Sequence, residues 1–261
     1  MSLKAEIIGV KKLNPIEKLR LFELMKDHYD GVALEKFEAD LSVKDKVIVV
    51  KDQQKVIRGF STIVIRRFMT DGKRWIGVFS GDTIVEKKYW GQSSLQIMFT
   101  RFVFVQKIKN INQPVYWFLI SKGYKTYLLL ANNFLSHYPR YEKETSLLHK
   151  TRMDLFYSQL FGSCYNSKTG QVRFDNLSTR LKSGVAPITE HDRKYPRIAF
   201  FEKLNPDWEN GTELACVGEV TILNALLYCF KKATQPIYKK LQRFHTYATI
   251  KNKTAAGDRS I

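Results

Sequence analysis

The sequence predicts an α/β fold in which one mixed sheet of the α+β kind packs against helices. Strand-like and helix-like patterns alternate along most of the 261 residues. Three strand patterns follow one another directly, joined by short turns, which is typical of an antiparallel meander. The hydrophobic content of 44% and the aromatic content of 13% are enough for a sizeable core. The length suits one domain that carries an insertion.

The net charge indicates the kind of partner, and the spacing of the cysteines bears on disulfides and metal sites. Lys and Arg number 43 and Asp and Glu 25, so the net charge is +18, which favours polyanionic partners. Cys164, Cys216 and Cys229 show neither paired nor zinc-ligand spacing, so we expect free thiols and no metal site. No apolar run approaches the roughly 20 residues of a membrane span, and the amino terminus is too polar for a signal peptide. We therefore expect a soluble, cytoplasmic protein.

The first half of the chain has clear element signals. A strand, "AEIIGVKKL", precedes a helix in which Asn14 is the cap, Pro15 the first residue and Glu17 the partner in a capping box. A second helix, "ALEKFEADLSVKD", leads to the three strands "KVIVVKD", "KVIRGFSTIVIRRF" and "KRWIGVFSGDTIVE". The Asp71-Gly72 pair predicts a tight hairpin between the last two of these strands. Gly81, inside the third strand, predicts a bulge or a close approach of backbone.

A junction with the sequence "EKKYWGQSS" joins the third meander strand to a helix. The helix carries apolar residues at Leu95, Met98, Phe99 and Phe102, so we expect it to be deeply buried. The segment "PVYWFLISK" then predicts a central strand. The segment "GYKTYLLLANNFLSHY" predicts another helix, which ends at Tyr138 before Pro139.

The second half is less regular. From Tyr141 to Tyr195 we predict a partly helical insertion, with a helix at "HKTRMDLFYSQLF", a loop at "GSCYNSKTGQ" and a short helix at "DNLSTRLKS". Two strands, "RIAFFEKL" and "ELACVGEVTI", follow, and then a basic helix bent near Pro236. The expected organisation is a single domain over residues 1–261, with a core over about 5–140 and 196–222, the insertion over about 141–195, and a basic carboxyl-terminal helix and tail over about 223–261.

The junction "VEKKYWGQSSL" resembles the pyrophosphate loop of the GNAT acyl-CoA N-acyltransferases, which often reads V-x-P-x-Y-R-G-x-G-x-G. Val85, Tyr89 and Gly91 match this pattern. The sequence departs from the pattern at three positions. Trp90 replaces a basic or polar residue, Ser93 replaces a glycine, and Leu95 replaces a glycine or an alanine. A second register matches Lys88, Gly91 and Ser93 but shifts the strand by two residues. The order of the predicted elements resembles the same superfamily and indicates a divergent member.

The resemblance implies a GNAT-like fold and the transfer of an acyl group from an acyl-CoA to an amine by direct attack. Acetyl-CoA or another acyl-CoA is then the implied cofactor. A helix amino terminus presents free N–H groups that suit a pyrophosphate, and glycine allows backbone to approach a phosphate closely. The implied cofactor-binding residues are those of the strand end and the loop: Ile84, Val85, Lys88, Tyr89, Trp90, Gly91, Gln92, Ser93 and Ser94.

Catalysis by attack of an amine needs a base, because an amine is protonated at neutral pH. Asp82 and Glu86 are four residues apart on one strand, share a face, and are both candidates. The alternative is a solvated strand end or a salt bridge to Lys87 or Arg74. By resemblance, a tyrosine protonates the leaving thiolate. The candidate is Tyr138, with Tyr124 and Tyr127 as alternatives. A backbone N–H near the bulge is the implied oxyanion donor.

Other functions remain open from the sequence. The acceptor is a small-molecule or peptide amine, and an acidic acyl-carrier protein is an alternative donor that matches the basic charge. A GNAT fold without catalysis is a second alternative. A third is a nucleic-acid-binding protein, because aromatic residues interleave with cations near the carboxyl terminus. That stripe contains Lys231, Lys232, Tyr238, Lys239, Lys240, Arg243, Phe244, Tyr247, Lys251 and Lys253. The sequence does not determine the oligomeric state.

Overall fold

The structure is a computed structural model that describes residues 3–29, 31–174 and 187–228. The chain divides into two units, residues 1–221 and 222–261. The first unit contains all the labelled helices and strands below, and the described part of the second is a helical segment at residues 222–228. The predicted division into a core, an insertion and a basic tail stays a prediction.

Nine strands and seven α-helices make up the described part of the first unit. The strands are β1 Lys4–Gly9, β2 Lys46–Lys51, β3 Ile57–Thr70, β4 Lys73–Val85, β5 Val115–Ser121, β6 His137–Tyr138, β7 Tyr165–Asn166, β8 Gln171–Val172 and β9 Glu213–Val220. The helices are α1 Pro15–His28, α2 Leu34–Ser42, α3 Ser94–Lys109, α4 Tyr124–Ala131, α5 Leu147–Phe161, α6 Glu190–Arg193 and α7 Pro196–Leu204.

The strands form one mixed sheet in the order β1-β2-β3-β4-β5-β9-β8-β7, with β6 also paired to β9. The pairs are antiparallel except β4 and β5, which run parallel. A parallel pair requires a crossover, and α3 supplies it between β4 and β5. The predicted fold class, an α/β fold with a mixed sheet, is confirmed.

Local signals in the first half are confirmed residue by residue. The Asn14 side chain accepts from the Glu17 N–H at 2.8 Å, and the Glu17 carboxylate accepts from the Asn14 N–H at 3.3 Å, which is the predicted capping box. Asp71 and Gly72 both have positive φ, 51° and 69°, as a tight hairpin between twisted strands requires. These features form as predicted because each depends only on neighbours along the chain.

The two faces of the sheet bury different helices. In β2, Ile48 and Val50 point to one face and Val47 and Val49 to the other, following the period of two of a strand. The first face packs against α3, α4 and α7, through residues that include Leu95, Phe102, Tyr127, Leu130, Ile198 and Phe201. The second face packs against α1 and α2 at one end and α5 at the other, through residues that include Leu21, Leu24, Phe37, Phe156 and Tyr157.

Two predictions of secondary structure are wrong. The segment "RIAFFEKL" is not a strand but most of helix α7, in which Pro196 is an initial residue and Ile198 and Phe201 are buried three positions apart. A short apolar run fits a strand and a buried helix equally well, and here the helical spacing decides. The helix predicted to end at Tyr138 ends at Ala131, after which Tyr138 pairs with Val217 in β6.

The predicted loop "GSCYNSKTGQ" contains the small hairpin of β7 and β8. The Asn166 side chain accepts from the N–H groups of Lys168 and Thr169, at 2.9 and 3.3 Å, and Gly170 adopts a positive φ of 68°. An asparagine that bonds to its own downstream backbone is a turn former, and here it closes the hairpin.

Several predictions fall outside the described residues. They are the short helix "DNLSTRLKS", most of the basic carboxyl-terminal helix with its stripe of cations and aromatic residues, and Cys229. Cys164 and Cys216 are free cysteines. In the part of the chain that the structure describes, no helix has the length and apolar character needed to cross a membrane.

Candidate functional site

The parallel strands β4 and β5 pair along only part of their length. Their register runs from Ile76 opposite Val115 to Phe79 opposite Phe118. Beyond this point β4 continues to Val85 and β5 continues to Ser121. The carboxyl end of β4 therefore has a backbone edge that β5 does not cover, and an unpaired strand edge can bind an extended ligand that carries amides.

A β-bulge lies where the two strands separate. The register of β3 with β4 shifts so that Gly81 and Asp82 together oppose Thr62. A Cβ atom at Gly81 would overlap the Thr62 hydroxyl, so a residue without a side chain is required there. Because a bulge bends its strand and re-aims side chains, this feature places Asp82 at the start of the separated segment. Of the two predictions for Gly81, a bulge or a close approach of backbone, the bulge is observed.

The Asp82 carboxylate accepts hydrogen bonds from its own backbone N–H and from Thr62. Thr62 Oγ1 donates to Asp82 Oδ2 over a long distance of 3.4 Å. Burial raises the pKa of the Asp82 carboxyl, nearby Lys44 opposes this shift, and Asp40 adds to it. The Lys44 ammonium is itself paired with Asp40 at 2.9 Å, which weakens its effect on Asp82. A carboxylate in this environment accepts a proton more readily than one in water.

Tyr29 and Glu213 lie near Asp82, and Lys122 lies beside both of them. Each of the three comes from a different element. Tyr29 follows α1, Lys122 follows β5, and Glu213 begins β9. Lys122 Nζ lies 3.5 Å from Glu213 Oε1 and 5.4 Å from the centroid of the Tyr29 ring. Burial raises the pKa of Glu213 and of Tyr29, and the negative charge of Asp82 adds to both shifts. We call Tyr29, Asp82, Lys122 and Glu213 the bulge cluster.

Glu86, the other candidate base, lies in a network of ion pairs. Its Oε1 atom is 2.6 Å from Arg20 Nη2 and 3.2 Å from Arg58 Nη1, and its Oε2 atom is 3.5 Å from Lys88 Nζ. Arg58 also pairs with Asp52 at 2.7 Å. These partners differ from Lys87 and Arg74, the partners predicted for a salt bridge. The network joins α1, β3 and the loop after β4, so Glu86 connects parts of the fold to one another.

The loop after β4 joins the strand to α3 through one 3₁₀ turn, Lys87–Tyr89. Tyr89 is buried in the core, and Gly91 has a φ of 88° that other residues rarely adopt. Gln92 and Ser94 both bind the backbone of Leu3: Gln92 Oε1 accepts from its N–H at 3.2 Å, and Ser94 Oγ donates to its carbonyl at 3.1 Å. These two side chains thus fix the loop against the beginning of β1.

The amino terminus of α3 has neither a side-chain cap nor an acidic residue in its first turn. Ser93 occupies the cap position with a φ of −96° and a ψ of 6°, and its hydroxyl makes no capping bond. The first N–H groups of a helix have no partner within the helix, and they carry a partial positive charge. The end of α3 that follows the loop therefore suits an anionic group.

The remaining predicted binding residues lie on β4 and in the loop. Ile84 is buried against α1 and α2, whereas Val85 packs partly buried against the opposite core. Lys88 lies over the Tyr89 ring, 4.9 Å from its centroid. Trp90 Nε1 donates to the Val85 carbonyl at 2.7 Å. The structure thus brings the predicted residues 82–94 into one contiguous region at the uncovered end of β4.

The three candidate tyrosines have different surroundings. Tyr138 is buried in β6 with its ring 4.3 Å from that of His149, in the core beside α5. Tyr127 is fully buried and donates to the Pro139 carbonyl at 3.2 Å. Tyr124 is half-buried at the beginning of α4, shortly after the separated end of β5, and burial raises its pKa. Tyr124 is thus at the end of the sheet where β4 and β5 separate.

Sequence reasoning missed Tyr29, Lys122 and Glu213. The available signal was a charged residue at the boundary of a strongly apolar strand, as at Lys122 after "VYWFLIS" and Glu213 before "LACV". Such a residue is often a solvated strand end, so the signal becomes specific only when two ends meet in space. Among residues 3–29, 31–174 and 187–228 no group of three His, Cys, Asp or Glu side chains is placed to hold a metal ion.

No family model and no curated protein matches the sequence. Solved structures are similar over part of it. A conserved protein of Enterococcus faecalis V583 is 13% identical with a TM-score of 0.40, and the match covers 50% of this chain but 32% of that one, so this chain spans about a third of its length. A GNAT family N-acetyltransferase of Escherichia coli in complex with CoA is 15% identical with a TM-score of 0.35, covering 51% and 72%. A Trypanosoma brucei acetyltransferase is 15% identical with a TM-score of 0.39, covering 56% and 100%.

These likenesses are low in identity and in TM-score, so they transfer no substrate or partner to this chain. The chain itself has the order of elements that the sequence resemblance implies up to α4, with three antiparallel strands, a loop, a helix and a central strand in succession. The chain therefore has a mixed α/β fold.

Proposed function

We propose that the chain is a divergent GNAT-type acyltransferase that moves an acyl group from an acyl-CoA to a primary amine. The observation that carries this proposal is the separation of β4 from β5 beyond Phe79 and Phe118. The separation leaves one edge of β4 free. Asp82, a carboxylate of raised pKa, lies on this strand, and α3 begins after the loop that follows the strand. An acyl donor with amides and phosphates fits this combination.

The donor site uses backbone more than side chains. The free edge of β4 around Thr83 and Val85 can pair with amide groups of an extended ligand. The uncapped beginning of α3 can accept the pyrophosphate, and Gly91 keeps the approach to it open. Lys87 and Lys88 add positive charge beside it. When bound, the acyl thioester supplies the activated carbonyl carbon.

Asp82 is the base in this proposal, and it deprotonates the acceptor ammonium. The free amine then attacks the thioester carbonyl, a C–N bond forms, and the C–S bond breaks. Because its pKa is raised, Asp82 accepts the proton at neutral pH more favourably than an ordinary carboxylate does. The backbone at the bulge is the proposed source of the N–H that stabilises the oxyanion.

The departing thiolate takes its proton from a tyrosine, and the tyrosinate recovers a proton from the nitrogen that has been acylated. We favour Tyr124, because it follows the separated end of β5 and is only half-buried there. Tyr127 already donates to the Pro139 carbonyl, and Tyr138 lies in the core beside α5. Conversion of Tyr124 to Phe distinguishes these roles, since only a proton donor changes the pH dependence of kcat.

The acceptor in this proposal is a cation before it reacts. Asp82 and Glu213 put two carboxyl groups near one another, and Lys122 neutralises only part of their charge. An ammonium of a small molecule or of a peptide is attracted to such a site. The acyl group and the acceptor skeleton are left open.

The experiment is a thermal shift and calorimetric titration of the full chain with CoA, acetyl-CoA and, separately, an acetylated acyl-carrier protein. A ligand at 100 times its Kd stabilises the fold by about 2.7 kcal/mol. We expect both CoA and acetyl-CoA to stabilise the fold. When a mixture of amines is added to the chain with acetyl-CoA, we expect release of the CoA thiol. Stabilisation by the carrier protein alone would assign the donor to that class.

Two results would reject the proposal. One is the absence of any thermal shift with all three donors at millimolar concentration. The other is salt-dependent retention on nucleic acid in the absence of donor binding, which would favour a binding protein over an enzyme.

A further inference from the structure

The carbonyl of Val85 points to the uncovered side of β4. The Glu86 N–H donates to the Arg58 carbonyl at 2.9 Å, and the register places Val85 opposite Gly59. In an antiparallel ladder the backbone groups of successive residues point to alternate sides. Since Glu86 faces β3, the backbone groups of Val85 face away from β3, toward the side that β5 has left.

The Trp90 side chain already forms a hydrogen bond with this carbonyl. Its Nε1 donates to Val85 O at 2.7 Å, which is a short N–H···O bond. The indole is 58% exposed, whereas Trp75 and Trp117 are buried. The next residue, Gly91, has no atom within 4 Å of a Cβ built on it, so the chain beside Trp90 has room to change conformation.

A side chain in this position competes with any ligand that pairs with the free edge. A hydrogen bond of a neutral donor to a solvent-accessible carbonyl contributes modestly to stability, because water replaces it when it breaks. The bond is therefore strong enough to weaken ligand binding by a measurable factor and weak enough to be exchanged. Once displaced, the exposed indole has an apolar face available to cover the ligand.

We propose that Trp90 is a displaceable occupant of the β4 edge: the acyl donor binds by exchanging its amide for the Trp90 indole at the Val85 carbonyl. The inference rests on the proposed function, because it assumes that a donor with amides binds there. Trp90 then sets the affinity for the amide-bearing arm of the donor and leaves the affinity for the nucleotide part unchanged.

The test compares the wild-type chain with Trp90→Phe, which keeps an aromatic ring and removes the N–H donor. Calorimetry is done with three probes: CoA, pantetheine, which has the amides without the nucleotide, and 3′,5′-ADP, which has nucleotide phosphates without the amides. We expect Trp90→Phe to bind CoA and pantetheine about threefold to tenfold more tightly, the range that one neutral hydrogen bond supports, and to bind 3′,5′-ADP equally.

Tryptophan fluorescence of the wild-type chain gives a second measurement that does not depend on a variant. Pantetheine should change the emission of the exposed Trp90, and the same addition to Trp90→Phe should leave the emission of the other tryptophans unchanged. An unchanged wild-type emission at saturating pantetheine would contradict the exchange.

The outcomes separate the two proposals. Equal affinity of both chains for pantetheine and CoA, or a gain that extends to 3′,5′-ADP, overturns the role of Trp90 while the acyltransferase proposal stands. Failure of both chains to bind CoA, pantetheine and 3′,5′-ADP at millimolar concentration rejects the acyltransferase proposal, and the role of Trp90 falls with it.

Discussion

Asp82 lies near the end of β4 and Glu86 directly follows the strand, and the two carboxylates have opposite surroundings. Asp82 accepts a long hydrogen bond from Thr62 and one from its own backbone N–H. Glu86 lies within 3.5 Å of cationic nitrogen atoms of Arg20, Arg58 and Lys88. From the sequence the two residues were equivalent candidates for a base. The structure separates them, because Glu86 is already paired with three cations, whereas burial raises the pKa of Asp82.

The difference follows from the bulge. Gly81 and Asp82 together oppose Thr62, so Asp82 leaves the regular alternation of β4, and Glu86 lies beyond the strand where α1 and β3 approach it. One inserted residue thus gives the two carboxylates different neighbours. Variants at both positions test whether the carboxylate with fewer partners is the functional one.

The largest effect is expected for Asp82→Asn. The asparagine amide does not take a proton from the ammonium of the acceptor, so kcat should fall by about 10²- to 10⁴-fold. In the wild type, activity should rise with pH through the raised pKa of Asp82, because the carboxylate is the active form. Steady-state assays of thiol release across pH measure both effects. Retention of more than a tenth of wild-type kcat would show that Asp82 is not the base.

Asp82→Asn should lower activity, but it should not lower the stability of the fold. A folded-state pKa raised above the unfolded value means that ionisation of Asp82 costs stability above the unfolded pKa and costs nothing well below it. Asp82→Asn should therefore have an equal or higher Tm than the wild type at pH 7, and the two chains should converge at pH 3. A lower Tm at pH 7 would indicate that Asp82 supports the fold.

The bulge itself is tested by Gly81→Ala. The added methyl group overlaps the Thr62 hydroxyl, which should cost about 1–3 kcal/mol of unfolding free energy and shift Asp82. Denaturant unfolding and kcat are the measurements. The double variant Gly81→Ala with Thr62→Ala removes the overlapping atom and should recover part of the stability. Equal destabilisation of the single and double variants would show that the overlap is not the cause.

Glu86→Gln should act on stability rather than on catalysis. Loss of the carboxylate leaves Arg20 and Arg58 without their shared partner in a partly exposed network, so we expect a loss of about 1–2 kcal/mol. The loss should shrink in high salt, and kcat should stay within about tenfold of the wild type. Thermal unfolding at low and high ionic strength measures the first effect. A fall in kcat as deep as that of Asp82→Asn would reverse the assignment of the base.

The smallest effect is expected at Glu142, a paired carboxylate outside the site. Arg197 lowers the pKa of Glu142 to about 2, so the pair stabilises the fold above the unfolded pKa and loses this contribution as the pH falls toward 2. Because the pair is partly exposed, Glu142→Gln should cost less than about 1 kcal/mol at pH 7 and less still at pH 3. Denaturant unfolding at the two pH values checks this reference case. A cost that grows as the pH falls would contradict the pairing.

Local features of this chain were predictable, and features that depend on distant neighbours were not. The capping box of Asn14 and Glu17 and the bulge at Gly81 were predicted correctly, since each is encoded by a few adjacent residues. The segment that forms α7 was predicted as a strand, because a short apolar run does not reveal its period. Tyr138 was placed at a helix end, whereas its pairing with Val217 puts it in β6.

The sequence by itself determined the order of the elements up to α4, the mixed sheet, and the junction in which a strand passes through a short loop into a buried helix. These features follow from hydrophobic periodicity and turn chemistry, which act over a few residues. Only the tertiary structure decided that β4 separates from β5 after Phe79, that Tyr29 and Glu213 surround Asp82, and that Arg20 and Arg58 hold Glu86. The reason is physical: the protonation state and the contacts of a side chain depend on all the groups around it, and folding brings these groups together from distant parts of the chain.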